Sequence, residues 1–364
     1  MKRLIAGMTA ALLAVILLFS VPGYAISAKS AVLLDCTTGR ILYSKDMDRR
    51  SLIASTTKIM TALIVCEQCN VLDRMKIPKE AVGIEGSSLY LQEGEVLTIQ
   101  ELLYGMMLHS GNDAAVALAI YCGGTVEGFV QMMNDKAHSL GLINTHFENP
   151  NGLDGQQHYS TARDLSVLAA YAMQNPIFEK IVSTKTIKIG ARNLKNHNKL
   201  LWNIEGADGV KTGYTKAAGR ILVSSAVRQQ RRLVAVTICA PNDWQDHQLL
   251  YEDGFSQYQT RSLITRGSIL GSVEIAGGTC DKVELVAKDS FSYALRQDEV
   301  TTICLPSPGF VYAPVAFGQA AGYAQIFLGD QRIGSIPLVY GNTVEQEKQQ
   351  EQKSWQRLLG RDRL

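Results

Sequence analysis

Apolar and polar positions along the chain fall into two textures that change near residue 260. In the first, residues 31–35 and 40–44 are short strand-like runs around a turn-like Cys36-Thr-Thr-Gly39, the pattern of a hairpin. Residues 59–65 are then apolar almost all the way round, which predicts a helix beginning near Ser55 and buried inside a domain. Residues 70–98 look irregular. Thr98 followed three later by Glu101 is a capping-box pattern and opens a helix through Leu102, Leu103, Met106 and Met107. That helix ends at Ser110-Gly111-Asn112, and another follows at once over 113–121. The glycine is expected to permit the sharp junction. Helices are also expected over 128–140 and 161–173, and a strand over 181–190. The apolar runs 221–227 and 233–240, joined by Arg228-Gln-Gln-Arg231, form a second hairpin. Strands from both ends of this segment are expected to build one antiparallel sheet with helices on both faces. Lys211 would lie on an edge strand facing the Ser55 helix.

From about Arg261 helical signals stop. Short β-rich runs alternate with glycine and proline turns, the signature of a small all-β domain. The expected division is a signal peptide at 1–25, a catalytic α+β domain at 26–260, the all-β domain at 261–341 and a tail at 342–364. Lys2 and Arg3, an apolar run over 10–18 and Gly23-Tyr24-Ala25 carry the signal-peptide reading, which makes the mature protein extracytoplasmic. In the tail, Trp355, Leu358 and Leu359 share one helical face. Five basic and four acidic residues surround them, so interfacial binding by such a helix would be marginal.

Composition narrows the function classes. The chain of 364 residues is 46% hydrophobic and 19% charged, a globular balance. Its 36 basic residues exceed the 34 acidic ones by two, an excess matched by Lys2 and Arg3 of the leader. A neutral mature chain gives no support for nucleic-acid binding. Seven cysteines include one tight pair, Cys66 and Cys69, and no second pair to complete a zinc site. The cysteines are read mainly as buried small hydrophobes. The six histidines form no H-E-x-x-H, and neither a metal nor another cofactor is expected.

Ser55-x-x-Lys58 places a hydroxyl and an amine three residues apart, on one face of a helix. This is a candidate nucleophile with its own base, near the positive end of the helix dipole. Chance alone supplies about one such motif in a chain of this length. Ser110-x-Asn112 and Lys211-Thr212-Gly213 follow in order, and the triple is the pattern of penicillin-recognising serine acyl enzymes.

With Ser110-Gly-Asn-Asp-Ala-Ala115, Asn149-Pro-Asn-Gly-Leu-Asp154, Ser160-Thr-Ala-Arg-Asp164 and Asp208-Gly-Val-Lys-Thr-Gly-Tyr214, the chain resembles the low-molecular-mass penicillin-binding proteins. These are D-alanyl-D-alanine carboxypeptidases of the serine peptidase S11 type. The resemblance implies their α+β penicillin-recognising fold and a peptidoglycan stem peptide as substrate, with β-lactams as inhibitors. It makes Ser55 the nucleophile and Lys58 its base, the lysine neutralised by burial and by Lys211. It gives Ser110 the proton relay and Asn112 the substrate amide. Lys211 and Thr212 take the terminal carboxylate. Gly213 permits close approach of the substrate, and Tyr214 donates a backbone N–H to the oxyanion hole with that of Ser55. Family members often carry a second basic contact in the loop before Lys211, where this chain has Asn196-His197-Asn198; His197 is left aside as a surface residue. Family members often rest on the membrane through a C-terminal helix, which makes the tail a candidate peripheral anchor.

Class A β-lactamases carry Ser-Asp-Asn and a later Glu-x-x-Leu-Asn for deacylation. This chain has Ser-Gly-Asn and no Glu-x-x-Leu-Asn, so penicillin is expected to acylate Ser55 and leave slowly. Two alternatives stay open: a DD-endopeptidase acting on cross-links, and a non-catalytic β-lactam or wall-binding protein.

Overall fold

The computed structural model describes residues 25–306 and 309–347. Nearly all of the expected signal peptide and most of the tail lie outside the described residues. The chain divides into two compact units, one through Ser256 and the other from Gln257.

In the first unit the chain enters on β1 (Ser30–Asp35) and β2 (Ile41–Lys45). A 3-10 turn at Ala54–Thr57 leads into α1 (Lys58–Gln68). A small hairpin, β3 (Arg74–Lys76) with β4 (Val96–Thr98), precedes α2 (Ile99–Leu108), α3 (Asn112–Gly123) and α4 (Val126–Ser139). Next come α5 (Ala162–Ala172), α6 (Pro176–Ser183), a second small hairpin of β5 (Thr186–Ile189) and β6 (Arg192–Lys195), and α7 (Leu200–Asn203). Last are β7 (Ala207–Thr215), β8 (Gly219–Arg228), β9 (Arg231–Ile238) and α8 (Asp243–Gln257).

The main sheet has the order β2-β1-β9-β8-β7, antiparallel throughout, so the two ends of the segment meet at β1 and β9 and β7 is left as an edge. Strand β8 is buried without a break from Ile221 to Ala226, because both of its faces are covered. Ile221 and Val223 join the core that holds α1, α2 and α3. On the other face Ser224 reaches His247 and Tyr251 of α8, at 2.6 Å each. A Cβ on Gly254 would come within 2.6 Å of Leu33 and 2.8 Å of Leu233, which shows how tightly α8 lies on that face. Helix α1 is buried at every position from Lys58 to Cys66, as its all-round apolar pattern predicts. The capping box of α2 forms in full, with Thr98 and Glu101 satisfying each other's backbone N–H.

Four local expectations are corrected. The α-helix starts at Lys58, and Ser55 sits in the 3-10 turn before it. The turn at the α2–α3 junction is made by Ser110, whose φ is +66°, and not by Gly111. The strand expected over 181–190 begins at Thr186, because α6, capped by Asn175 with Pro176 in its first turn, runs to Ser183. Of the cysteines only Cys66 is buried; four are half-buried, and Cys280 and Cys304 are exposed.

The second unit is all-β. Its six-stranded sheet runs Thr301–Cys304, Ala320–Leu328, Gln331–Tyr340, Lys282–Ala287, Ile269–Ala276, Phe310–Tyr312, beside a two-stranded pair, Gln259–Ile264 with Phe291–Leu295. It has its own core around Val283, Leu285, Ala324, Ile326 and Leu338. The chain stays attached beyond Tyr340 through bridges at Val344 and Gln346. Among the described residues no single helix is long and apolar enough to cross a membrane.

Candidate active site

Between Ile53 and Cys66 one position reaches the surface, and it is Ser55. In a 3-10 turn residues three apart eclipse, so the Ser55 side chain lies over that of Lys58. Ser55 Oγ and Lys58 Nζ are 3.1 Å apart. Lys58 is fully buried and donates to Asn112 Oδ1 at 2.6 Å and to the carbonyl of Asn151. A neutral amine has two N–H bonds and one lone pair. With both N–H bonds spent on Asn112 and Asn151, the lone pair is left for the Ser55 hydroxyl.

Burial first, and the charge of nearby Lys211 second, push the Lys58 amine well below the usual lysine range, against a smaller opposing pull from Asp113. Lys211 is also buried and is lowered to about 7 by desolvation alone. Its Nζ rests 2.9 Å from the carbonyl of Thr212. A carboxylate arriving beside it would restore its charge.

Asn112 is held from behind. Its amide donates to the carbonyl of Glu85, and its backbone N–H to that of Ser87 at 2.7 Å. Asp113 is buried and accepts from the backbone of Leu89 and Leu91 and from the Ser88 hydroxyl, so one carboxylate folds the 85–91 loop against the start of α3. A Cβ on Gly86, at φ +92°, would lie 2.7 Å from Asn112 Nδ2; on Gly111 it would lie 2.8 Å from Asp113 Oδ1. Both glycines are there for space.

The loop at 149–152 closes the site from the other side. Thr61 Oγ1 donates to the carbonyl of Pro150 at 2.6 Å, and Thr57 Oγ1 meets His158 Nε2 at 2.7 Å. Burial holds His158 down to about 4, so it serves as a neutral strut. A Cβ on Gly152, at φ +88°, would lie 2.0 Å from the Ala54 carbonyl oxygen and 3.0 Å from Ser55 N. Both obstacles are backbone, and the strain of that φ adds about 1–3 kcal/mol. Gly152→Ala is therefore expected to displace the Ser55 turn, lowering the melting temperature and cutting kcat/KM about 100-fold. Calorimetry and steady-state kinetics on the variant check this.

Edge strand β7 forms the third wall. A Cβ on Gly213 would meet Ile53 O, Ala54 Cβ and Ser55 N at 3.2–3.3 Å. The structure thus gives Gly213 a reason other than close approach of substrate: it lets β7 lie against the Ser55 turn. Ser55, Ser110, Thr212, Gly213 and Tyr214 line one cleft of about 350 Å³, with Lys58, Asn112 and Lys211 buried behind it. The structure brings all eight predicted positions together.

Sequence reasoning missed part of the site. His197, set aside as a loop residue, stands in the cleft wall with Lys199 and Arg220. Partial desolvation, then Lys211 and His109 nearby, pull its imidazole down to about 4, so it faces the cleft as a neutral ring. Arg220 is held by both oxygens of Asp243 at 2.9 Å. The Asn151 carbonyl was invisible in the sequence except through the Asn149-Pro-Asn-Gly152 loop signal.

Residues 18–242 match the family described as D-alanyl-D-alanine carboxypeptidase, and residues 258–346 match the C-terminal domain of penicillin-binding protein 5. The chain is 35% identical over 285 residues to the D-alanyl-D-alanine carboxypeptidase DacF of Bacillus subtilis, covering 75% of this chain and 73% of that protein. Its structure resembles penicillin-binding protein 5 from Haemophilus influenzae with a TM-score of 0.78 at 29% identity, over 90% of this chain and 100% of that one. It also resembles the Streptomyces K15 DD-transpeptidase, TM-score 0.63 at 35% identity, over 65% of this chain and 100% of that one.

Proposed function

Since the chain belongs to the D-alanyl-D-alanine carboxypeptidase family of serine peptidases, we propose that it removes the terminal D-alanine from peptidoglycan stem peptides through an acyl-enzyme on Ser55. The observation that carries this reading is the buried Lys58, its two N–H bonds committed and its lone pair facing the one half-exposed hydroxyl of the segment.

The steps follow from the geometry. Ser55 Oγ attacks the carbonyl of the penultimate D-alanine while Lys58 takes its proton. The backbone N–H groups of Ser55 and Tyr214 receive the developing oxyanion. Ser110 passes a proton to the leaving amine, whose carboxylate is held by Lys211 and Thr212, and Asn112 holds the substrate amide. The C–N bond breaks, D-alanine departs, and water hydrolyses the ester to return Ser55. Penicillin acylates the same serine. It leaves slowly, because the chain has no Glu-x-x-Leu-Asn to supply a deacylating base. The work is extracytoplasmic, where peptidoglycan lies, and the N-terminal signal peptide accounts for export.

Release of D-alanine from a synthetic peptide ending in D-Ala-D-Ala, and its loss after penicillin treatment, tests the reading; no release would refute it. The pH profile adds a second check. A lysine base lowered by burial becomes competent as pH rises through its lowered pKa, so turnover is expected well below pH 10. Lys211 loses its charge as pH rises through about 7 in the free enzyme, so KM is expected to climb on the alkaline side. In Lys211→Arg, which stays charged, that climb should disappear.

A further inference from the structure

Cys66-x-x-Cys69, the one tight cysteine pair in the sequence, has no part in the active site, and the fold brings a third cysteine, Cys122, beside it. Helices α1 and α3 pack on each other and run in the same direction, touching at both ends. Their first residues meet in the active site, where Lys58 Nζ lies 2.6 Å from Asn112 Oδ1. About 15 Å further along, at the rise of an α-helix, each presents a cysteine. Cys69 caps the C-terminus of α1, and Cys122 lies in the last turn of α3. These two thiols are in hydrogen-bond contact, the Cys122 S–H donating to the Cys69 sulfur. Both are half-buried at the edge of the core, open to a reagent from solvent, whereas Cys66 is buried one turn back on α1.

The chain around the two thiols is fixed by bonds other than their own. After Cys69, the carbonyls of Val71 and Asp73 accept from the backbone N–H groups of Gln100 and Ile99 in α2, at 2.9 Å each. The Asp73 carboxylate accepts at 3.0 Å from the hydroxyl of Tyr121, the residue before Cys122. The three thiols also differ in chemistry. The hydrogen bond from Cys122 lowers the Cys69 thiol, whereas burial pushes Cys66 up to about 12. The thiolate is the reactive form, so Cys69 is the nucleophile of the group and Cys66 is inert.

We infer that Cys69 and Cys122 are the two halves of a disulfide that fastens the far ends of α1 and α3. The oxidant is another disulfide, from a small molecule or a protein. The Cys69 thiolate attacks one of its sulfurs and expels a thiolate. Cys122 then gives up its proton to solvent, attacks the Cys69 sulfur of the mixed disulfide and expels the second thiolate. Two thiols of the chain are oxidised to one disulfide, and the oxidant is reduced to two thiols. The closed loop holds β3, β4, α2 and the Ser110-Gly-Asn112 junction onto the helix that carries Lys58. Such a bond persists outside the cytoplasm, where the proposed function places the chain. Its formation requires neither substrate nor turnover.

The test equilibrates the purified full chain with oxidised or with reduced glutathione, blocks free thiols with iodoacetamide in denaturant and maps the peptides without reduction. After oxidation, one linked peptide joining Cys69 to Cys122 is expected, with Cys66 alkylated. The melting temperature of the oxidised protein should exceed that of the reduced protein by about 5–10 °C, and the difference should vanish in Cys122→Ser. The inference is overturned if Cys69 and Cys122 are both alkylated after oxidation, if Cys69 is linked to Cys66 instead, or if the oxidised and reduced proteins melt at the same temperature.

Discussion

Replacing Ser55 with alanine is expected to lower kcat for D-alanine release by about 10⁴–10⁶ with KM nearly unchanged. Ser55 is the half-exposed position of an otherwise buried segment, and its hydroxyl faces Lys58 at 3.1 Å. Removing that oxygen deletes the proposed ester-forming atom and little packing, so the melting temperature should hold within a few degrees. The proposed substrate contacts, Asn112 on one wall and Lys211 and Thr212 on another, are left in place. A binding protein without turnover would show the opposite balance, with ligand affinity unaffected and no rate to lose. Steady-state kinetics with calorimetry on the purified variant separate the two.

Lys58→Ala is expected to lower kcat/KM by about 10³–10⁴ and to slow acylation by penicillin in the same proportion, because both reactions lose the same proton acceptor. Here stability suffers as well. The amine satisfies Asn112 Oδ1 and the Asn151 carbonyl in a fully buried position. Each acceptor left unpaired costs about 1–3 kcal/mol, and the cavity adds to that. Lys58→Arg should not rescue the rate, since a guanidinium stays charged and has no lone pair to offer the hydroxyl. Stopped-flow acylation at a temperature where both variants remain folded checks the rate. Parallel losses in the two reactions are the expected signature.

The sheet order and the buried helix were legible because their patterns are strong. The two apolar hairpins at the ends of the first unit demanded a shared sheet, and 59–65 demanded enclosure on every side. The three motifs converge on one cleft because each sits where a turn or an edge presents it. Other features were hidden for identifiable reasons. Helix α8 packs through Asp243, His247, Leu250, Tyr251 and Gly254, a stripe whose polar and small members mask its helical spacing. At the α2–α3 junction the glycine was expected to permit the sharp turn, but Ser110 takes the left-handed conformation, and Gly111 is required by the closeness of Leu89 and Asp113. The Asn151 carbonyl is a backbone group, and no residue type announces which carbonyl a lysine will find. His197 reaches the cleft only because Asn196 and Asn198, buried on either side, turn the intervening residue outward.

Acylation of Ser55 is the step on which every other proposed role depends. Incubation with benzylpenicillin, followed by intact mass and peptide mapping, should show one adduct per chain on Ser55. It should persist after excess antibiotic is removed and be absent from Ser55→Ala. No adduct, an adduct elsewhere, or rapid release of hydrolysed antibiotic would contradict it.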